Sequence, residues 1–137
     1  MAMMPKRVLH RKQQRGRVRG IASRGNTVEF GEVGLQAMQA GWLSGRQIEA
    51  GRVALSRAVP GGKIYIRVFP HKPLTSQPLE TRMGKGKGEP DYYVAVVRPG
   101  TVIYEIGGAP VDECQLALNR ASHKMPVRCR MVLRRAR

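Results

Sequence analysis

The sequence is poor in acidic residues, histidine and cysteine. Its 137 residues include 9 Asp and Glu, 3 His and 2 Cys. So few acids give no convincing two-metal nuclease cluster, and no histidine has a metal-ligand spacing to another histidine, a cysteine or an acid. The distant Cys114 and Cys129 provide neither a zinc site nor a disulfide framework, and we expect reduced, partly buried thiols. We therefore predict no metal, no cofactor and no enzyme activity.

Long apolar runs are also missing, since no stretch approaches the roughly 20 residues that a membrane-spanning helix needs. An integral membrane protein is thereby excluded. Positive charge is abundant instead, because 25 Lys and Arg against 9 acids give a net charge of +16. Such an imbalance attracts polyanions over long distances. Nucleic acid is the predicted partner.

The first 26 residues form a predicted basic arm. The first acid of the chain is Glu29, and glycines separate the cations before it. Such a segment buries too little apolar area to order alone, so we predict that it orders against an anionic partner. A disordered solubilising tail is one alternative; a cleaved transit peptide is less favoured, because the glycines leave no amphipathic helix. The predicted RNA-binding cations of the arm are Lys6, Arg7, Arg11, Lys12, Arg15, Arg17, Arg19 and Arg24.

A second cationic segment is the octapeptide T-R-M-G-K-G-K-G, from Thr81 to Gly88. Glycines lack Cβ and let a backbone approach a surface closely, while the cations between them supply positive charge. The P-loop pattern is not met, because Gly88 stands where Ser or Thr is required. We predict that this glycine-lysine loop, residues 81–89, binds phosphates; a mobile, solvated hairpin tip is the alternative. Its predicted contact residues are Arg82, Gly84, Lys85, Gly86, Lys87 and Gly88.

Periodicity predicts an α+β fold: one compact domain over residues 27–137, with a mixed or antiparallel sheet and two helices. A capping box at Ser44 begins the first helix, which ends at Pro60. The second helix follows Pro110, carries the apolar stripe Val111, Cys114, Leu118, Ala121 and Met125, and ends at Pro126. The predicted strands are 28–30, 35–38, 63–69, 92–97, 102–106 and the chain from 127.

Three further features follow from the same patterns. Strands 92–97 and 102–106 are predicted to form a β-hairpin around Pro99 and Gly100, and three prolines predict an extended connection after residue 69. Arg46 and Arg57 lie opposite the apolar face of the first helix, beside small Ala50. A phosphate groove could approach that face, and a simply solvated face is equally compatible with the pattern. The last strand alternates apolar residues with arginines and predicts a cationic strand edge or face.

Six motifs then occur in order along nearly the whole chain. They are P-K-R at Pro5, R-G-N at Arg24, R-Q-I-E-A-G-R at Arg46, G-K-I-Y-I-R-V-F-P at Gly62, T-R-M-G-K-G-K-G at Thr81 and Y-V-A-V-V-R-P-G at Tyr93. Together they closely resemble the bacterial and organellar ribosomal protein L-sixteen family of the large subunit. The sequence departs from the usual family pattern at Tyr65 and Tyr93, where tryptophan is common, and at His71, where aspartate is usual.

The resemblance implies a structural α+β protein docked on large-subunit rRNA near the aminoacyl-tRNA site. The arm and the glycine-lysine loop would reach rRNA and tRNA, and the protein would join the subunit late in assembly. Arg82 matches an arginine that is hydroxylated in some bacterial members. Implied partners are large-subunit rRNA, tRNA and neighbouring ribosomal proteins, without a membrane and without an independent homo-oligomer. The implied location is a cytoplasmic ribosome, or an organellar one.

Two other function classes remain open to test at this point. An RNA-modifying or RNA-cleaving enzyme would need a cluster of acids, histidines or a metal, and turnover of rRNA fragments would reveal it. A DNA-compacting protein would need a dimerisation element and a preference for DNA.

Overall fold

The computed structural model describes residues 3–135, which form two antiparallel sheets and two helices. This confirms the predicted α+β class. In chain order the elements are β1 (Val33–Ala37), β2 (Gly41–Ser44), α1 (Gly45–Ala58), β3 (Lys63–Ile66), β4 (Lys72–Ser76), β5 (Glu89–Val97), β6 (Val102–Gly107), α2 (Val111–Ser122) and β7 (Cys129–Leu133).

The larger sheet has the strand order β3-β6-β1-β7, and the smaller sheet has the order β2-β5-β4. Leu35 in β1 lies opposite Tyr104 of β6 on one side and Met131 of β7 on the other. Helix α2 packs on β1 and β7, and the two helices pack against each other. The apolar core therefore fills the space between the larger sheet and the helix pair, and one face of the smaller sheet contributes to it through Leu43, Ala95 and Val97.

Helix α1 begins as the sequence predicts. The Gln47 N–H donates to Ser44 Oγ at 3.3 Å, and the Ser44 N–H donates to Gln47 Oε1 at 2.9 Å. This reciprocal pair satisfies two backbone donors that the first turn would otherwise leave unpaired. The core face needs glycine at position 51, because a Cβ there would lie 2.8 Å from Cζ of Tyr104.

Helix α2 also follows its predicted stripe, with one exception. Cys114, Leu118 and Ala121 are buried. The helix ends at Ser122, before the predicted end at Pro126, and Met125 beyond it is buried as well. Val111 is wrongly predicted as a core residue, because 43% of it stays exposed at the helix start. Both cysteines are free thiols, Cys114 buried and Cys129 half-buried, as expected.

The predicted strand at 28–30 is absent, because its backbone donors are used elsewhere. The N–H groups of Phe30 and Gly31 donate to Oε2 of the buried Glu105 at 2.6 and 2.8 Å, and the Glu29 N–H donates to the same carboxylate. Arg67 also bonds to it through Nη1. Burial alone would raise the pKa of the Glu105 carboxyl, but these bonds outweigh it and hold the pKa below its ordinary value.

The predicted hairpin of β5 and β6 is wrong as well. The chain does turn at Pro99 and Gly100, where the Thr101 N–H donates to the Arg98 carbonyl at 3.1 Å. The two strands then enter different sheets, β5 between β2 and β4, and β6 between β3 and β1. The turn residues therefore determine the reversal of the chain but not the strand pairing.

Two strands were not predicted, and one is shorter than expected. Strand β4 carries Pro73, which a sheet edge tolerates because an edge strand has one set of backbone groups without ladder partners. Strand β2 pairs with β5 immediately before α1. Strand β3 ends at Ile66 rather than at Phe69.

Candidate nucleic-acid interface

Within residues 3–26, the structure assigns the basic arm neither helix nor strand, and all eight predicted arm cations are exposed. The end of the arm is bonded to the domain. The Ala22 N–H donates to the Pro99 carbonyl at 2.9 Å, and the Val102 N–H donates to the Gly25 carbonyl at 2.9 Å. Ala22 is itself buried. Residues 22–26 therefore contact the β5–β6 turn, and a domain boundary at residue 26 stays a prediction.

The arm and the glycine-lysine loop lie against each other. Lys12 Nζ donates to the Lys87 carbonyl at 3.2 Å, and Lys87 Nζ donates to the Gln13 carbonyl. Beside the loop, Lys72 Nζ of β4 donates to the Arg15 carbonyl at 2.5 Å. Two cationic segments about 75 residues apart in sequence thus form one surface, which we call the arm–loop surface (residues 6–19 and 81–89).

Glu89 of the loop forms ion pairs with two cations of the arm. Its carboxylate lies 3.5 Å from Arg11 Nη2 and 3.3 Å from Lys12 Nζ. The Glu89 side chain is 71% exposed, so water and salt screen both pairs. Exposed ion pairs contribute about 0–1 kcal/mol each. The arm is therefore held on the loop by weak contacts that a polyanion can replace.

The loop glycines differ in their surroundings. A Cβ at Gly84 or Gly86 would meet nothing within 4 Å, whereas a Cβ at Gly88 would lie 2.7 Å from the carbonyl carbon of Ser76. None of the three adopts a positive φ. Gly88 thus allows the loop to join β5 close to β4, while the other two leave the tip open for another molecule to approach.

The tip itself exposes its side chains. Arg82, Lys85 and Lys87 are all exposed, and Met83 between them is 99% exposed. The chain enters the loop through a turn in which Glu80 has φ of 63°, a left-handed value that residues other than glycine rarely adopt. The tip therefore exposes to solvent both its cationic side chains and the main chain at its glycines.

Arg46 and Arg57 line a second groove of about 720 Å³ along the outer face of α1. Ala50 and Met3 of the arm line it too, together with the acids Glu49 and Asp91. Arg52 pairs with Glu49 on the same helix. The structure therefore brings the two predicted helix cations together, but in a groove whose lining includes no residue of the glycine-lysine loop.

Sequence reasoning missed several residues that shape these surfaces. Lys72 lies in the connection whose prolines predicted an extended segment, and Glu89 is not among the predicted contact residues of the loop. Arginines of β7 and the residues after it line a further groove with Phe30. Their alternation with apolar residues is the sequence signal that indicated a cationic strand.

Two further findings concern membranes and metal ions. Among residues 3–135, no helix is both long and apolar enough to cross a lipid bilayer. Within the same range, no three His, Cys, Asp or Glu side chains are grouped so that they could hold a metal ion.

Comparison with known proteins identifies the family. The family described as Ribosomal protein L16p/L10e matches residues 5–132. The chain belongs to this family. It is therefore a ribosomal protein with a structural role and not an enzyme, and membership of the family implies association with large-subunit rRNA and other ribosomal proteins. A ribosome-bound location follows from the same membership.

Curated relatives match the chain over nearly its full length. The protein named "Large ribosomal subunit protein uL16" of Rhodopirellula baltica is 57% identical over 137 residues, which covers 99% of each chain. The protein of the same name from Heliobacterium modesticaldum is 51% identical over 133 residues, which covers 96% of this chain and 92% of its own. Arm, loop and both sheets therefore fall within the similarity to proteins of the large ribosomal subunit.

Proposed function

We propose that this structural constituent of the large ribosomal subunit binds large-subunit rRNA through the arm–loop surface, near the aminoacyl-tRNA site. There it contacts tRNA and supports late assembly of the subunit. The observation that carries this proposal is the convergence of the two predicted phosphate-binding segments, linked by contacts between Lys12, Gln13 and Lys87.

The physical basis is charge combined with steric access. The arm supplies eight exposed cations and the loop supplies three. Open space around Gly84 and Gly86 permits a phosphate backbone to approach the loop main chain. RNA duplexes are read mostly through shape and backbone, which suits a surface rich in cations and poor in exposed aromatic rings.

Weak internal pairing favours exchange of partners. In water the arm's contacts with Glu89 contribute little, whereas each phosphate contact releases condensed counterions. RNA can therefore displace the carboxylate from Arg11 and Lys12 at low free-energy cost. The groove of Arg46 and Arg57 adds a further cationic contact on α1.

Arg82 is also proposed as a site of side-chain hydroxylation. Its side chain is exposed at the entry to the glycine-lysine loop, which gives a modifying enzyme access before RNA covers it. The modification adds a hydroxyl group that can donate or accept a hydrogen bond at the RNA contact. Mass spectrometry of the peptide that contains Arg82, taken from native ribosomes, tests this point.

The function is tested with large subunits reconstituted with the wild-type chain or with Arg82→Ala/Lys85→Ala. After a high-salt wash the wild-type chain is expected to co-sediment with the subunit, and the double variant to be depleted and to weaken tRNA binding at the aminoacyl site. Arg120→Ala, which removes an exposed cation of α2, is the matched control. Equal retention and equal tRNA binding for all three proteins would contradict the assignment of this surface.

A further inference from the structure

A groove on the larger sheet carries a second set of cations that the proposed function does not use. It has a volume of about 680 Å³ and runs between residues 21–30 and strand β7. Its cationic lining consists of Arg130, Arg134 and Arg135, and Glu29 is the acid that lines it within residues 3–135. The lining therefore carries three positive charges against one negative charge. We call it the β7 groove.

The floor of this groove is the sheet face directed away from the helices. Gly34 and Gln36 of β1 lie there, since the alternate residues Val33, Leu35 and Ala37 point into the core. Val28 covers Gly34 so closely that a Cβ on this glycine would lie 2.7 Å from Val28 Cγ2. Val28 therefore packs on the sheet, and Ala22 is buried and bonded to the β5–β6 turn, so these two residues hold one wall of the groove in place.

One of the arginines is positioned by the sheet itself. Arg130 Nε donates to Gln36 Oε1 at 2.8 Å, and Gln36 Nε2 donates to the Asn26 carbonyl at 3.0 Å and to the Gly100 carbonyl at 2.9 Å. This network fixes the Arg130 guanidinium at the wall of the groove. Its terminal N–H groups form a planar fork that matches the geometry of a phosphate.

Exposed apolar side chains stand among these cations. Ile21, Phe30 and Leu133 line the groove and are 76%, 60% and 57% exposed. The Phe30 ring stacks with Tyr65 at 5.7 Å between centroids, and Arg67 lies 5.0 Å from its centre. The ring therefore contacts two neighbours on the domain, and its exposed part offers apolar contact area beside the arginines.

We propose that the β7 groove binds a single-stranded segment of RNA, separate from the RNA at the arm–loop surface. The arginines neutralise its phosphates, while the apolar side chains contact bases, which only unpaired RNA leaves accessible. No residue that lines this groove belongs to the arm–loop surface, and β4 and β5, which hold the glycine-lysine loop, belong to the other sheet. The protein would then hold two RNA segments at once. This inference rests on the proposed function, because it assumes that RNA is the partner.

The test uses the full chain with a photocrosslinking side chain at Leu133, and oligouridine as the probe. Leu116 on α2, which is 65% exposed, is the matched control position. RNA is expected to crosslink at 133 and not at 116, and crosslinking at 133 is expected to persist when the arm cations are replaced by glutamine. Equal crosslinking at both positions would overturn the proposal. Loss of crosslinking at 133 when the arm cations are replaced by glutamine would overturn it as well.

A second measurement does not depend on the crosslinker. Arg134→Gln/Arg135→Gln is expected to reduce the magnitude of the slope of log affinity against log salt by about 1.4, since each phosphate contact on a single strand contributes about 0.7. Lys63→Gln/Arg120→Gln removes two exposed cations elsewhere and is expected to leave the slope unchanged. If the wild-type chain binds with a steep salt slope and both double variants match it, the groove proposal fails alone. If the wild-type chain does not bind RNA, the proposed function fails with it. If polyglutamate crosslinks at position 133 and oligouridine does not, the inference is also refuted.

Discussion

Neutralising the basic arm is expected to remove a large part of the salt dependence of RNA binding. The variant replaces the seven cations between Lys6 and Arg19 with glutamine and keeps Met3, which packs against the core. It leaves Arg24 unchanged, because residues 22–26 are bonded to the domain. All seven side chains replaced are on exposed residues, so the folded domain should lose little stability.

The magnitude follows from the pairing of these cations. Within residues 3–135, five of the seven have no carboxylate partner, whereas Arg11 and Lys12 share Glu89. For double-stranded RNA we apply the value for B-DNA, in which each neutralised phosphate contributes about 0.9 to the slope of log affinity against log salt. The slope should therefore fall by about 4.5 if only the five unpaired cations reach phosphates, and by about 6 if all seven do.

Fluorescence anisotropy with a labelled rRNA fragment, titrated from about 50 to 200 mM salt, measures this slope over the range where it has its largest effect. Arg120→Gln is the control for removal of one exposed cation, and thermal melting checks that the variant stays folded. A slope that changes by less than about 1 would show that the arm does not contact phosphates. The reasoning would also fail if the variant lost its cooperative melting transition, since the arm would then be part of the fold.

Three further outcomes follow from single sites. Glu105→Gln should destabilise the domain by about 2–4 kcal/mol near neutral pH, because the partly buried Arg67 loses its charged partner, the fully buried Glu105 carboxylate. Since the folded-state pKa of Glu105 is lowered, its contribution to the free energy of unfolding is complete above about pH 4.3 and is lost as the pH falls below that value. In urea unfolding, the stabilities of the wild type and of the variant should therefore converge in acid. A difference in stability that stays constant with pH would contradict the assignment. Gly88→Ala should destabilise the fold by about 1–3 kcal/mol through contact with the β4 backbone, whereas Gly86→Ala should leave melting unchanged, and equal melting of the two variants would contradict the geometry. Burial raises the pKa of Cys129 to about 11, so alkylation at pH 7.5 should be slower than for a model thiol by roughly two orders of magnitude; a rate equal to that of the model thiol would show that the thiol is not buried.

Elements with strong local patterns were predictable from the sequence. The capping box at Ser44 and the stripe through Leu118 determine where the helices begin and which faces they bury. The binding roles of the loop and the arm rest on their clustered cations and glycines and stay predictions. Local signals were sufficient wherever the stabilising contacts lie within a few residues.

The errors arise where a contact joins distant parts of the chain. Nothing near residues 28–31 indicates that their amides will bond to Glu105, about 75 residues away. A charged residue within a strand ordinarily indicates that this face of the sheet is solvated. Glu105 is instead buried and paired with Arg67, and the local sequence does not show this. Similarly, the alternating glycines of the loop look equivalent in sequence, and only the position of β4 distinguishes Gly88 from Gly86.

The interface combines a firmly held base with a weakly held surface. Strand pairing fixes β5 beside β4, and the close approach of Gly88 to Ser76 anchors the end of the loop. Beyond that point, exposed ion pairs and lysine–carbonyl contacts hold the arm to the loop, and each is weakened by water and salt. A phosphate backbone that displaces Glu89 therefore competes with a few weak contacts rather than with the core. RNA binding should reorganise the arm without disturbing the sheets, and the partner should determine the final path of the arm.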